Sequence, residues 1–220
     1  MATYDLEEQE QLEELKTWWK LHGNLITSII LALAIGVVGW QGWQWWQRNE
    51  AAQAGQLYGG IQQALTQQDV KRVRQLAGEL IGKYPATAQA SLGAMLSGKA
   101  LAESGDLKSA QAQFGWVAEN AADPGLRGIA RLRQAILLSE DKALDEALKL
   151  LAEPPVPGLM ARYLEVRGDI LATQGKPSEA RQAYDEALKA LDDARKAENM
   201  PSGPYRDILQ AKRDAAGGRS

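Results

Sequence analysis

The side chains in this sequence that are capable of catalysis are few, and most of them are carboxylates. Asp141, Asp145 and Glu146 stand close together, and paired carboxylates can serve a hydrolase as general acid and base. A charge cluster at the start of a helix is more often a solvated cap. One histidine and no cysteine among 220 residues leave little material for histidine catalysis, disulfides or a zinc site. We therefore expect no enzyme, no cofactor and no metal.

An apolar segment near the amino terminus organises the chain. Gly23–Gln47 contains 25 consecutive residues without a charged side chain. A helix of this length reaches about 37 Å, against a hydrocarbon core of about 30 Å. The pattern predicts one transmembrane helix in the lipid bilayer, with a buried core helix as the alternative. Indole rings favour the membrane–water interface, and the predicted interface anchors are Trp18, Trp19, Trp40, Trp43, Trp45 and Trp46.

The residues that flank this segment indicate its orientation. Lys16 and Lys20 precede it and only Arg48 follows it closely, which favours a cytoplasmic amino terminus. A cleaved signal peptide is the alternative, because Ala52-Gln53-Ala54 offers a cleavage site. The acidic leader and the long apolar run argue against cleavage. Inside the segment, small residues on one face offer a contact for another helix, and these residues are Gly36, Gly39 and Gly42.

The composition divides the chain into four parts. Residues 1–22 hold six acids and two lysines, a net charge of −4, and their apolar spacing predicts a short amphipathic leader helix. Residues 23–47 are the predicted span. Residues 48–200 favour helix, with turn residues at regular intervals and no strand pattern, so we predict an all-α domain. Residues 201–220 are predicted to form a capping helix and tail.

An internal repeat indicates how these helices pack. Residues 97–117 and 167–187 share one pattern at an offset of 70, or two units of 35. Small residues on paired helices allow close approach, and a large apolar residue fills the join to the next pair. The predicted packing positions are Gly98, Leu101, Ala110, Phe114, Ala135, Ala147, Leu151, Gly168, Leu171, Ala180 and Tyr184. This resembles the tetratricopeptide repeat and predicts an α-solenoid of three or four helix hairpins.

One aromatic residue of the repeats falls outside this packing pattern. Trp116 lies two residues beyond Phe114 and therefore points to a different helix face. It is our candidate for a partner contact, with packing in the core as the alternative.

The leader resembles that of the YfgM family, the ancillary subunit of the bacterial Sec translocon. The similarity is carried by Tyr4-Asp5-Leu6-Glu7-Glu8-Gln9-Glu10-Gln11-Leu12-Glu13-Glu14-Leu15-Lys16, then by Trp18-Trp19-Lys20 and Asn24. The resemblance implies a single-pass protein of the bacterial inner membrane with a cytoplasmic amino terminus and periplasmic repeats. It also implies association with the SecYEG translocon and the periplasmic chaperone PpiD, and assistance to newly translocated proteins.

Three functions remain open from the sequence. The first is a membrane-tethered protein-binding module, whose anchor raises the concentration of the repeats beside a translocation channel. The second is a regulator whose acidic cytoplasmic leader sequesters a signalling protein. The third is the carboxylate hydrolase, for which the sequence predicts no deep pocket. We expect protein and lipid partners and no nucleic acid.

Overall fold

The structure is a computed structural model that describes residues 2–198, 200–201 and 203–218. Side chains are described from Leu12 onward except that of Ile26, so the leader motif before Leu12 lies outside the described side chains. The described residues form helices and no strand, which confirms the predicted all-α class. The helices are α1 (Ala2–Thr66), α2 (Val70–Lys83), α3 (Ala88–Glu103), α4 (Leu107–Asn120), α5 (Pro124–Glu140), α6 (Leu144–Leu150), a 3-10 helix (Pro157–Leu159), α7 (Met160–Thr173), α8 (Pro177–Ala197) and α9 (Pro204–Gly217).

The chain divides into two compact units, Met1–Glu50 and Ala51–Ser220. Among the described residues one helical stretch, Thr27–Thr66, is long and apolar enough to cross a membrane, and none of its apolar window is buried. This exposure argues against the core-helix alternative. The hydroxyls of Thr27 and Ser28 donate to backbone carbonyls one turn earlier, each at 2.7 Å. Both hydroxyls are thus paired within the helix, as an apolar environment requires.

The second unit is built from helix hairpins. Residues 51–66 of α1 pack against α2 as the first hairpin. The second hairpin pairs α3 with α4, the third α5 with α6, and the fourth α7 with α8, while α9 packs on α8. The four hairpins and the N-terminal apolar helix confirm the predicted fold class.

The same turn closes each hairpin. A residue with positive φ follows the first helix of every pair. The next backbone N–H then donates to a carbonyl five residues earlier, as Asp106 does to Leu101 at 2.9 Å. This arrangement satisfies carbonyls at the end of the helix. The four residues with positive φ are Gln68 (58°), Gly105 (87°), Lys142 (65°) and Gly175 (74°).

The third hairpin departs from the regular pattern. Its second helix, α6, has only seven residues, whereas α4 has 14. Irregular chain from residue 151 to 156 and the 3-10 helix follow it. This segment packs on α5: Arg131 pairs with Glu153 at 2.7 Å, and a Cβ built at Gly128 would lie 2.9 Å from Cδ1 of Leu159. The prolines at 154 and 155 are unfavourable inside a helix and favour this irregular path.

Candidate protein-binding surface

An open apolar pocket lies where the loop between α2 and α3 meets the loop between α4 and α5. Its volume is about 480 Å³, and its lining includes Pro85, Ala86, Leu92 and Leu126. Leu92 is 41% exposed, the most exposed large apolar side chain described between residues 51 and 198. We call this feature the Leu92 pocket.

Helix caps hold the two loops of the Leu92 pocket in place. Thr87 caps α3 by accepting from the N–H of Ala90 at 3.2 Å. Asp123 caps α5 by accepting from the N–H of Leu126 at 2.6 Å. Arg127 also donates to the carbonyl of Ala121 at 2.6 Å. Because the walls are fixed by these bonds, the pocket is preformed and suits an apolar side chain of a bound protein segment.

A second, smaller groove runs between α3 and α5. Its volume is about 290 Å³, with the aromatic ring of Phe114 and the side chain of Ile136 among its apolar lining. Lys99 pairs with Glu103 across 3.7 Å on one wall, and Arg133 stands on the other. The groove therefore offers charged rims around a small apolar floor, which is the composition of an ordinary protein interface.

A buried ionic network joins α9 to the fourth hairpin, and sequence reasoning missed it. Glu165 on α7 is 1% exposed and accepts hydrogen bonds from Lys212 at 2.7 Å, Tyr205 at 2.7 Å and Arg162. Lys212 also donates to Asp169 at 2.7 Å. Counting from the turns, Glu165 occupies the position of Met95 and Leu132 in the preceding hairpins. The sequence does show a carboxylate at a repeat position that is apolar in the other hairpins. It does not indicate the partner of that carboxylate, which lies 47 residues later.

The network shifts the ionisation of its members. Burial alone would raise the pKa of Glu165, but the hydrogen bonds from Lys212, Tyr205 and Arg162 outweigh it and leave that pKa below its usual value. Burial likewise opposes the charge of Lys212, and its bonds to Asp169 and Glu165 raise its pKa above the usual value. Both groups are therefore charged at neutral pH and stabilise the docking of α9.

The predicted interface anchors are all exposed. Among them Trp18 is the least exposed at 48% and Trp45 the most at 70%. Trp40 and Trp43 lie in contact, with ring centroids 5.7 Å apart. The other two anchors of the sequence prediction, Trp19 and Trp46, are exposed by 53% and 55%.

The predicted glycine face is also open. A Cβ built at Gly36, Gly39 or Gly42 would meet nothing within 4 Å. The face therefore has room for another helix, and its contact with one stays a prediction.

The predicted packing positions lie inside the repeat unit. All of them are buried: Gly98, Leu101, Ala110, Phe114, Ala135, Ala147, Leu151, Gly168, Leu171, Ala180 and Tyr184. The glycines face the large rings of their own hairpins. A Cβ at Gly98 would lie 2.8 Å from the ring of Phe114, and one at Gly168 would lie 2.5 Å from the ring of Tyr184. Only glycine therefore allows these rings to lie against the first helix.

Trp116 is half-buried and packs against the core clusters of the first and second hairpins. Its contact with a partner stays a prediction.

The three carboxylates considered for catalysis lie at the turn between α5 and α6 and in the first turn of α6. Asp141 and Glu146 are exposed, and Asp145 accepts a hydrogen bond from the side chain of Gln174 at 2.9 Å. Within the described part of the chain, no three acidic or histidine side chains are grouped so as to hold a metal ion.

Comparison with known proteins is consistent with this architecture. The family model described as a tetratricopeptide repeat-like domain matches residues 16–218. A protein of Neisseria gonorrhoeae named ancillary SecYEG translocon subunit is 25% identical over 96% of this chain and 97% of its own length. Proteins of the same name from Haemophilus influenzae and Escherichia coli are 28% and 25% identical, over 85% and 83% of this chain and 91% and 88% of their own lengths. These relatives confirm the resemblance predicted from the leader, and the family model shows that the chain belongs to the tetratricopeptide repeat-like domain family.

Proposed function

We propose that this chain is a membrane-anchored protein-binding subunit that associates with the Sec translocon. The observation that carries the proposal is the extent of the similarity. Relatives named ancillary SecYEG translocon subunits match 83% to 96% of the chain. Since the family model begins at residue 16, the match includes the apolar helix as well as the hairpins.

The proposed topology places the leader in the cytoplasm and the hairpins in the periplasm. Its support is Lys16 and Lys20 before the span against Arg48 after it. A tether of this kind confines the hairpins to a layer beside the membrane, which raises their effective concentration at a translocation channel. In this position the hairpins meet newly translocated proteins and the periplasmic chaperone PpiD.

The Leu92 pocket is the proposed contact with these proteins. It is apolar, preformed and rimmed by polar loop residues, so it binds an apolar side chain without requiring a charged partner. An unfolded chain that leaves a channel exposes such side chains. The hairpins therefore supply a binding surface and the membrane helix supplies its location.

Site-specific photocrosslinking tests this proposal. A photoreactive residue at Ala88, on the rim of the pocket, is compared with one at Ala112, an exposed alanine on α4 outside the pocket. We expect adducts with Sec channel subunits, PpiD or translocating chains from position 88 and few from position 112. Equal yields from both positions, or the absence of these proteins among the adducts, would contradict the proposal. If removal of residues 1–20 abolished function in cells while removal of the repeats did not, the regulator hypothesis would replace it.

A further inference from the structure

One side of the first hairpin carries a stripe of exposed amides. Among the residues that line a groove of about 530 Å³, five at the end of α1 and just after it recur at alternating spacings of three and four: Gln53, Gln56, Gly60, Gln63 and Gln67. This alternation places the five on one helix face, the arrangement along which a second helix packs. Arg72 and Glu79 of α2 stand on the opposite wall of the groove. We call the stripe the glutamine seam.

The register of the repeats identifies what this face normally does. Gln56 lies 12 residues before the positive-φ residue of its turn, and Gln63 lies five residues before it. In the later hairpins the same positions face the preceding hairpin. For example, a Cβ at Gly93 would lie 2.8 Å from Leu80 of the first hairpin. The equivalent positions are Gly93, Ala130 and Tyr163 for Gln56, and Ala100, Leu137 and Ile170 for Gln63.

All six equivalent positions are buried, and five of them lie in a core cluster shared with the preceding hairpin. The seam is therefore the stacking face of the first hairpin, the hairpin at the start of the array. A terminal repeat normally carries a polar outer face for solubility.

The composition of the seam differs from that of an ordinary solvated face. No charged residue occurs from residue 51 to residue 68. Gln56, Gln63 and Gln67 are exposed, and their amides make no hydrogen bond within the part of the chain that the structure describes. Depletion of charged residues is typical of the core of a protein interface.

We propose that the glutamine seam binds the glutamine seam of a second copy of this chain. A side-chain amide both donates and accepts, so a row of glutamines complements an identical row. Facing copies bring no like charges together along the seam, and an incoming amide can accept from Arg72 or donate to Glu79 on the groove wall. In each copy the same number of residues separates the seam from the apolar segment. Two copies anchored side by side would therefore present their seams at matching positions, which favours a parallel two-fold pair.

Disulfide crosslinking of the full chain in membranes tests the pairing. The chain has no cysteine, so Gln63→Cys introduces a single thiol on the seam. Gln62→Cys is the matched control, because Gln62 is an exposed neighbour that does not line the groove. After mild oxidation we expect a disulfide-linked dimer from Gln63→Cys and little from Gln62→Cys.

A charge on the seam provides the second arm of the test. Adding Gln56→Glu to Gln63→Cys sets two carboxylates against each other, which should lower the dimer yield by about tenfold or more. Circular dichroism checks that these surface variants stay helical. Equal yields from positions 62 and 63, adducts of position 63 with other proteins only, or a yield unchanged by Gln56→Glu would each overturn the proposal.

Discussion

Replacing Gly168 by alanine should destabilise the fourth hairpin, although alanine favours helix more than glycine does. The new Cβ would lie 2.5, 2.8 and 2.9 Å from three ring atoms of Tyr184. That ring is 3% exposed, and its hydroxyl donates to Asp169 at 2.8 Å, so the ring has little room to move aside. Overpacking of this kind costs about 1–3 kcal/mol, of which the helix preference of alanine offsets about 1 kcal/mol.

Two further glycine variants make the expectation specific. Gly78→Ala on the exposed side of α2 meets nothing within 4 Å, so it should stabilise the protein by about 1 kcal/mol. Gly98→Ala should fall between the two, because its Cβ would lie 2.8 Å from Phe114, a ring without a hydroxyl anchor.

Urea unfolding of the full chain in detergent, followed by circular dichroism, measures the free energy of unfolding for all three variants. We expect Gly78→Ala to be the most stable of the three variants, Gly98→Ala to be intermediate and Gly168→Ala to be the least stable. If Gly168→Ala were as stable as Gly78→Ala, the close packing of α7 against Tyr184 would be refuted.

Three more predictions concern the turns and the docking of α9. Lys142→Gly should stabilise the third hairpin by about 1 kcal/mol, since φ is 65° there, and urea unfolding measures it. Lys212→Met should release α9, and limited proteolysis detects the release. Breaking a fully buried ion pair costs about 3–5 kcal/mol. We expect a smaller loss here because Lys212 is 33% exposed. Electron paramagnetic resonance distances between labels on α7 and α9 should change as the pH falls below 4.5 or rises above 10.5.

The signs of the pH effects follow from the two pKa shifts. Glu165 has a lowered pKa, so its contribution is complete above its unfolded value of 4.5 and is lost as the pH falls through the folded value. Lys212 has a raised pKa, so its contribution is complete below 10.5 and is lost as the pH rises through the folded value. Movement of α9 near neutral pH would contradict this assignment.

Controls distinguish the turn and docking predictions from general effects. At the matching turn, Gly175→Ala should destabilise the fourth hairpin because φ is 74° there. Adding Glu165→Leu to Lys212→Met removes the buried carboxylate that has lost its lysine partner and copies Leu132, so part of the lost stability should return. If Lys142→Gly and Gly175→Ala changed the free energy of unfolding in the same direction, the assignment of positive φ to both turns would be contradicted.

The hairpins could be predicted because their signals are local and periodic. Gly105 and Gly175 mark two turns by residue type, and small residues such as Gly98 mark where helices approach. Gln68 and Lys142 hold the same conformation without glycine, so their turns are fainter in the sequence. The short length of α6 was not predicted. The helix ends at Leu150, whereas the apolar spacing from Ala147 to Leu151 extends one residue beyond that end.

The candidate binding surface depends on contacts between distant residues and was therefore not predictable. The Leu92 pocket joins two loops whose capping residues, Thr87 and Asp123, lie in different hairpins. The α9 network likewise joins Glu165 to Lys212, and neither residue indicates the other. Periodicity predicts which residues are buried, whereas pockets and ion pairs follow from how the hairpins stack.

Affinity purification of the full chain from native membranes in mild detergent tests the central claim most directly. The measurement is the amount of Sec channel subunits recovered, compared with the amount recovered on an unrelated single-span membrane protein at equal expression. We predict clear enrichment of the channel subunits on this chain. Recovery no higher than on the unrelated protein would contradict the proposed association with the Sec translocon.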